Sequence, residues 1–126
     1  MTNKKAILLV DDNEADNVYH QIILRRSDVV GDVAVAESAT AAMHYLQQVV
    51  KQWPNLILVD VNMPGMDGFA FISELQNLNP PAYCKVAMLT SSDADRDRDR
   101  ASKLKLISAY IIKPLTVPSI VQLLVD

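Results

Sequence analysis

Five short apolar runs recur along the chain without alternating with polar residues: AILLV at 6–10, VAVA at 33–36, LILV at 56–59, KVAML at 85–89 and AYII at 109–112. Uninterrupted runs of this length, rich in Val, Ile and Leu, are how strands buried on both faces read. Between them the period changes. Ala15, Val18, Tyr19, Ile22 and Ile23 recur at helical spacing, as do Ala39, Ala42, Met43, Leu46 and Val50, so each set predicts a helix with one apolar stripe. Ser38 stands where the second helix needs an N-cap, and Asp67 stands where a third, carrying Phe69, Ile72 and Leu75, needs one. The last segment, LTVPSIVQLLVD, puts Pro118 near a first helical turn, where proline is tolerated, with Ile120, Val121 and Leu124 on one face. Strand and helix thus alternate five times with a repeat of roughly 25 residues, which predicts a parallel sheet covered by helices on both faces.

One stretch breaks the pattern. SSDADRDRDRASKLKL at 91–106 alternates Asp and Arg and offers little to bury beyond Ala94, Ala101, Leu104 and Leu106. As a helix it gains opposite-charge pairs three residues apart and suffers like-charge pairs four apart, each worth a few tenths of a kcal/mol. The net help is small, and the segment is expected to form a solvated, weakly anchored fourth helix.

Composition narrows the field. The 126 residues are half apolar and 21% charged, which fits one globular domain spanning 1–126. A net charge of −3 gives no reason to expect nucleic acid or anionic membrane as a direct partner. The single cysteine, Cys84, cannot form an internal disulfide, in keeping with a reducing cytosol. No apolar stretch approaches the roughly 20 residues needed to span a bilayer, and the N-terminal run is too short for a signal-peptide core. The expectation is a soluble, cytoplasmic protein without membrane insertion.

The residues that leave each run carry the chemistry. The first run ends in Asp11 and Asp12, the third in Asp60, the fourth in Thr90 and Ser91, the fifth in Lys113 and Pro114. In a parallel sheet these lie on one edge, where open α/β folds bind ligands. Singly, each has an ordinary explanation: Asp12 or Asn13 as a helix cap, Thr90 or Ser92 as another, Lys113 as a surface lysine. Together they are chemically coherent. Unit charges 4 Å apart repel by about 4 kcal/mol at an effective dielectric near 20, so three acids invite a hard cation. Acids without His or Cys suit Mg²⁺, since His20 and His44 both fall within helical patterns. DDNEAD lacks the glycine and distal Glu of an EF-hand loop. A metal, a lysine and a hydroxyl around acids suit an incoming phosphoryl group, with one carboxylate free to act as nucleophile. Asp60, followed by the turn residues Pro64, Gly65 and Gly68, is the best candidate.

LLVDDNE, LILVDVNMPGMDG, AMLTSS and AYIIKPL, in that order, resemble the receiver domain of two-component response regulators across essentially the whole chain. The resemblance implies a flavodoxin-like, doubly wound five-stranded parallel sheet with five helices and strand order 2-1-3-4-5. Asp60 matches the phosphoacceptor, loaded by a sensor histidine kinase or a phosphotransfer protein. Asp12, Asp60 and the backbone carbonyl of Asn62 match the Mg²⁺ ligands, with Asp11 acting through water. Thr90 and Lys113 match the switch hydroxyl and the phosphate-pairing lysine, Tyr110 matches the switch aromatic, and Lys113-Pro114 matches a cis peptide. Asn62 and Ser92 match positions that influence phosphoryl lifetime.

This pattern implies a chemotaxis-regulator-like, single-domain receiver with no output domain, acting on a downstream protein target as a monomer or weak homodimer. The resemblance implies a signalling protein rather than an enzyme, one that catalyses at most its own phosphorylation and dephosphorylation. Ser108-Ala109 ahead of Tyr110 and the Asp/Arg run depart from the family pattern, at the output surface rather than the phosphorylation site. Two alternatives share some of these residues. An aspartyl-phosphate phosphohydrolase would need a second acid where Asn62 stands, and a degenerate receiver would bind partners regardless of Asp60.

Overall fold

Strands form where the apolar runs predict them, each extended by a residue or more. In the computed structural model, which describes residues 4–49, 51–61, 63, 65, 67–90, 99 and 101–124, β1 is Lys5–Val10, β2 Val30–Ala36, β3 Leu56–Asp60, β4 Lys85–Thr90 and β5 Ile107–Ile112. All four pairings are parallel, in the order β2-β1-β3-β4-β5. This is the expected doubly wound, flavodoxin-like sheet. Four α-helices are described: α1 (Glu14–Arg26), α2 (Ala39–His44, continued by a π-helical turn at Tyr45–Val49), α3 (Gly68–Gln76) and α4 (Val117–Leu124). The helix expected over 91–106 lies largely outside the described residues; within it Asp99, Ala101 and Ser102 are helical.

Each central strand buries both faces, which is why its sequence does not alternate. Leu8, Val10, Ile57, Val59, Val86 and Met88 pack with Ala42 and Leu46 after β2, and with Phe71, Ile72 and Leu75 of α3. Ile7, Leu9, Leu56, Leu58, Ala87 and Leu89 pack on the other side with Ile23 and Leu24 of α1 and Ile120 and Leu124 of α4. Cys84 is buried beside β4, and burial pushes its thiol up to about 12, far from reactivity at neutral pH.

Helix starts follow the predicted caps. Ser38 accepts from the Ala41 amide at 3.0 Å and Asp67 from the Ala70 amide at 2.8 Å. Asn13, rather than Asp12, caps α1. At the other end of the molecule, where β4 begins, Lys85 Nζ donates to the Leu123 carbonyl at 2.6 Å, satisfying an end group of α4.

The face of α1 requires a correction. The spacing of Val18, Tyr19 and Ile22 predicts that they point inward, yet they are 54, 45 and 48% exposed. The buried positions are Asn17, His20, Ile23 and Leu24. Two polar residues hold the inner face because α1 starts beside Asp11, and its first turns cover the polar strand end before reaching the apolar sheet. Asn17 Nδ2 donates to the Asp11 carbonyl at 2.9 Å.

Candidate functional site

Two strand ends deliver the three acids. Asp11 follows β1 and is fully buried; its amide donates to the Ala36 carbonyl, its Oδ1 accepts from the Asn13 amide, and its Oδ2 lies 3.0 Å from Lys113 Nζ. Asp60 ends β3 and is 8% exposed, whereas Asp12 is exposed. One carboxylate oxygen from each of Asp11, Asp12 and Asp60 can be chosen so that all lie within 4.8 Å of one another. The donors are all hard oxygens, partly buried and of one charge, so the set fits a hard divalent cation.

Asp60 shows the cost of this clustering. Burial, then the neighbouring charge of Asp11 and more weakly that of Asp12, pushes its carboxyl up to about 6 from an ordinary 3.8, against the opposing pull of Lys113. Behind it Gly68 returns to the end of the strand. The Gly68 amide donates to the Val61 carbonyl at 2.7 Å, and a Cβ at Gly68 would collide with the Asp60 carbonyl oxygen. Glycine here lets α3 start directly under the strand end.

Lys113 enters from β5. Its amide donates to the Thr90 carbonyl at 2.6 Å, which ties the ends of β4 and β5 together, and its peptide bond to Pro114 is cis, as the resemblance implied. Nζ meets Asp16 at 2.7 Å, Asp11 at 3.0 Å and Asp60 at 3.4 Å. Burial alone would lower the lysine's pKa; hydrogen bonds to Asp16 and Asp11, with the charges of Asp60 and Asp11, outweigh it and hold Lys113 above its ordinary range. Thr90 is buried at the end of β4. Tyr110, across from Met88 in the β4–β5 register, is half-buried against the core, beside a cavity of about 240 Å³ lined also by Ala101, Ser102 and Ile107.

The structure therefore brings Asp11, Asp12, Asp60 and Lys113 together, with the Thr90 backbone alongside. Asn62 and Ser92 lie outside the described residues. Asp16, Asn17 and His20 belong to the same neighbourhood without having been read from the strand ends. His20 is buried behind the site, and its pKa is lowered by burial and then by Lys113. The signal for Asp16 was its place in the first turn of a helix that begins right after Asp11 and Asp12.

Residues 7–125 match the response regulator receiver domain family. The chain belongs to that family. Response regulator Rcp1 of Synechocystis is 32% identical over 113 residues, covering 86% of the receiver and 76% of the relative. A protein-glutamate methylesterase/protein-glutamine glutaminase of Pseudomonas savastanoi is 29% identical over 120 residues, covering 94% of the receiver; the receiver spans only 31% of that relative's length. Among solved structures, a two-component response regulator from Cytophaga hutchinsonii superposes with a TM-score of 0.88 at 30% identity, covering 95% of the receiver and 94% of that chain. The Mn²⁺-bound form of Rcp1 superposes at 0.73 and 29% identity, covering 95% and 88% of the two chains. The phosphorylated cyanobacterial phytochrome response regulator RcpA gives 0.75 at 30% identity, covering 96% and 89%.

Proposed function

We propose that the receiver is a phosphorylation switch in which Asp60 accepts a phosphoryl group from a sensor histidine kinase or phosphotransfer protein. The observation that carries this reading is a single ammonium, Lys113, set 3.4 Å from a nearly buried Asp60 that also belongs to a three-acid cluster. A carboxylate oxygen of Asp60 bonds to phosphorus as the bond to the donor nitrogen breaks, and the departing imidazole keeps that electron pair. Lys113 pairs with the phosphoryl oxygens as charge shifts onto them, and Thr90 serves as the hydroxyl that donates to them. Asp12, Asp60 and the Asn62 carbonyl would hold Mg²⁺, which when bound supplies positive charge to the transferring group. Asp11 suits a water-mediated part, because both its oxygens already accept from the protein, one from the Asn13 amide and one from Lys113.

Output passes by protein contact. Half-buried Tyr110 beside its small cavity supports a role as the aromatic that moves with Thr90, a local event with a surface readout. The buried, unreactive Cys84 and the absence, among the described residues, of a helix long and apolar enough to cross a membrane agree with a cytoplasmic site of action. Incubation with Mg²⁺ and acetyl phosphate followed by intact-mass measurement tests the reading. One added phosphoryl group on wild type and none on Asp60→Asn is expected; unchanged labelling of Asp60→Asn would sink it.

A further inference from the structure

Lys113 has more anionic partners than phosphoryl transfer needs. Its nearest is Asp16 at 2.7 Å, closer than Asp11 or Asp60. An ammonium has three N–H donors and no acceptor; Asp16 and Asp11 accept hydrogen bonds from two of them, and Asp60 stands within ion-pair distance. The Asp16 side chain is 37% exposed, against 0% and 11% for those of Asp11 and Asp60. Water can therefore replace the lysine at Asp16 with little loss, whereas a fully buried Asp11 has no such substitute. Helix α1 fixes Asp16 in place: Asn13 accepts from the Asp16 amide at 2.9 Å, and Asn17, next along, is tied to the Asp11 carbonyl.

We propose that Asp16 is a positioning residue that competes with phosphoryl oxygens for Lys113, and so slows both the loading and the loss of the phosphoryl group at Asp60. The inference rests on Asp60 as the phosphoacceptor. In loading, phosphorus bonds to an Asp60 oxygen and the donor leaves with its electron pair. In loss, a water oxygen bonds to phosphorus, the bond to Asp60 breaks with its electrons returning to the carboxylate, and the water proton passes to the released phosphate or to solvent. Both transition states spread negative charge over the same equatorial oxygens. A carboxylate that keeps a share of the ammonium raises both barriers together. A mere reduction of local negative charge acts differently: it favours approach of an anionic donor and leaves attack by neutral water unchanged.

The test compares Asp16→Asn, which preserves shape, with Glu14→Gln, which removes another first-turn charge of α1 that makes no ion pair with Lys113 among the described residues. Loading by acetyl phosphate and loss after donor removal are followed by mass with Mg²⁺ present. In Asp16→Asn both rates rise about fivefold, the scale of one ordinary net hydrogen bond, as suits a partly exposed competitor; Asp16→Glu returns toward wild type, and Glu14→Gln changes neither rate in parallel. Independently of phosphorylation, the ¹⁵N resonance of the Lys113 ammonium in metal-free protein shifts in Asp16→Asn and stays in Glu14→Gln. Unchanged rates in Asp16→Asn, a rise in loading alone, an equal parallel rise in Glu14→Gln, or a Lys113 resonance indifferent to Asp16 overturns the proposal. If wild type takes up no phosphate, the reading of Asp60 fails and this inference with it, while the resonance still reports the Asp16 contact.

Discussion

As the proposed nucleophile, Asp60 meets two opposed demands, since a nucleophile must be ionised and the end of a buried strand disfavours charge. Between 3.8 and about 6 the folded chain keeps a proton that the unfolded chain has released. Stability therefore falls as pH rises through that window, by about 3 kcal/mol for a shift of about two pH units. In metal-free buffer, Asp60→Asn is expected to lose this slope and to be more stable than wild type at pH 7 by about 2 kcal/mol. Urea unfolding of both proteins from pH 4 to pH 8 checks it; a slope that survives in the variant would place the proton elsewhere. Gly68 supports the same residue from below. A methyl there would meet the Asp60 carbonyl oxygen and approach Met88 Cε to 3.0 Å, and a strand carbonyl does not yield as a side-chain tip does. Gly68→Ala should lower stability by about 1–3 kcal/mol, visible as a lower unfolding midpoint.

At the scale of elements, neighbouring positions on α1 make opposite predictions. Ile23 is buried against the sheet and Ile22 is 48% exposed. Ile23→Ala should cost about 2–4 kcal/mol and Ile22→Ala less than about 1, measured by denaturant unfolding. Equal losses would restore the face that the apolar spacing suggests. The central strands β1, β3 and β4 were legible because a run buried on both faces needs no phase; the edge strands β2 and β5 are partly exposed, so their apolar runs overstate their burial. A helix face does have a phase, and on α1 polar Asn17 and His20 occupy the inner positions while Val18, Tyr19 and Ile22 point outward. Caps were legible at Ser38 and Asp67 because a side chain bonding three residues ahead is a local event. Asp16 was not, because its contact with Lys113 spans 97 residues and depends on where packing sets α1.

For the molecule as a whole, the five-strand order could be anticipated, and with it the edge at which Asp11, Asp12, Asp60 and Lys113 meet, since parallel strands bring all their carboxyl ends to one side. That edge concentrates charge in the metal-free state. A divalent cation should therefore stabilise the folded chain by mass action, about 2.7 kcal/mol at a hundredfold excess over its dissociation constant. The gain should weaken below pH 6, where Asp60 holds its proton, and should shrink in Asp12→Asn. Thermal melts with MgCl₂ or EDTA at pH 5 and 7.5 measure both effects; equal stabilisation at the two pH values would exclude Asp60 as a ligand.

The bond from Lys85 to the Leu123 carbonyl draws the last turn of α4 to the edge where β4 begins, while Asp60 and Thr90 lie where β3 and β4 end. A strand of this length separates the two by roughly 17 Å. A dye or surface tether attached near Leu123 would hold the receiver by the far end, leaving the edge that carries Asp12 and Asp60 free for the proposed phosphodonor.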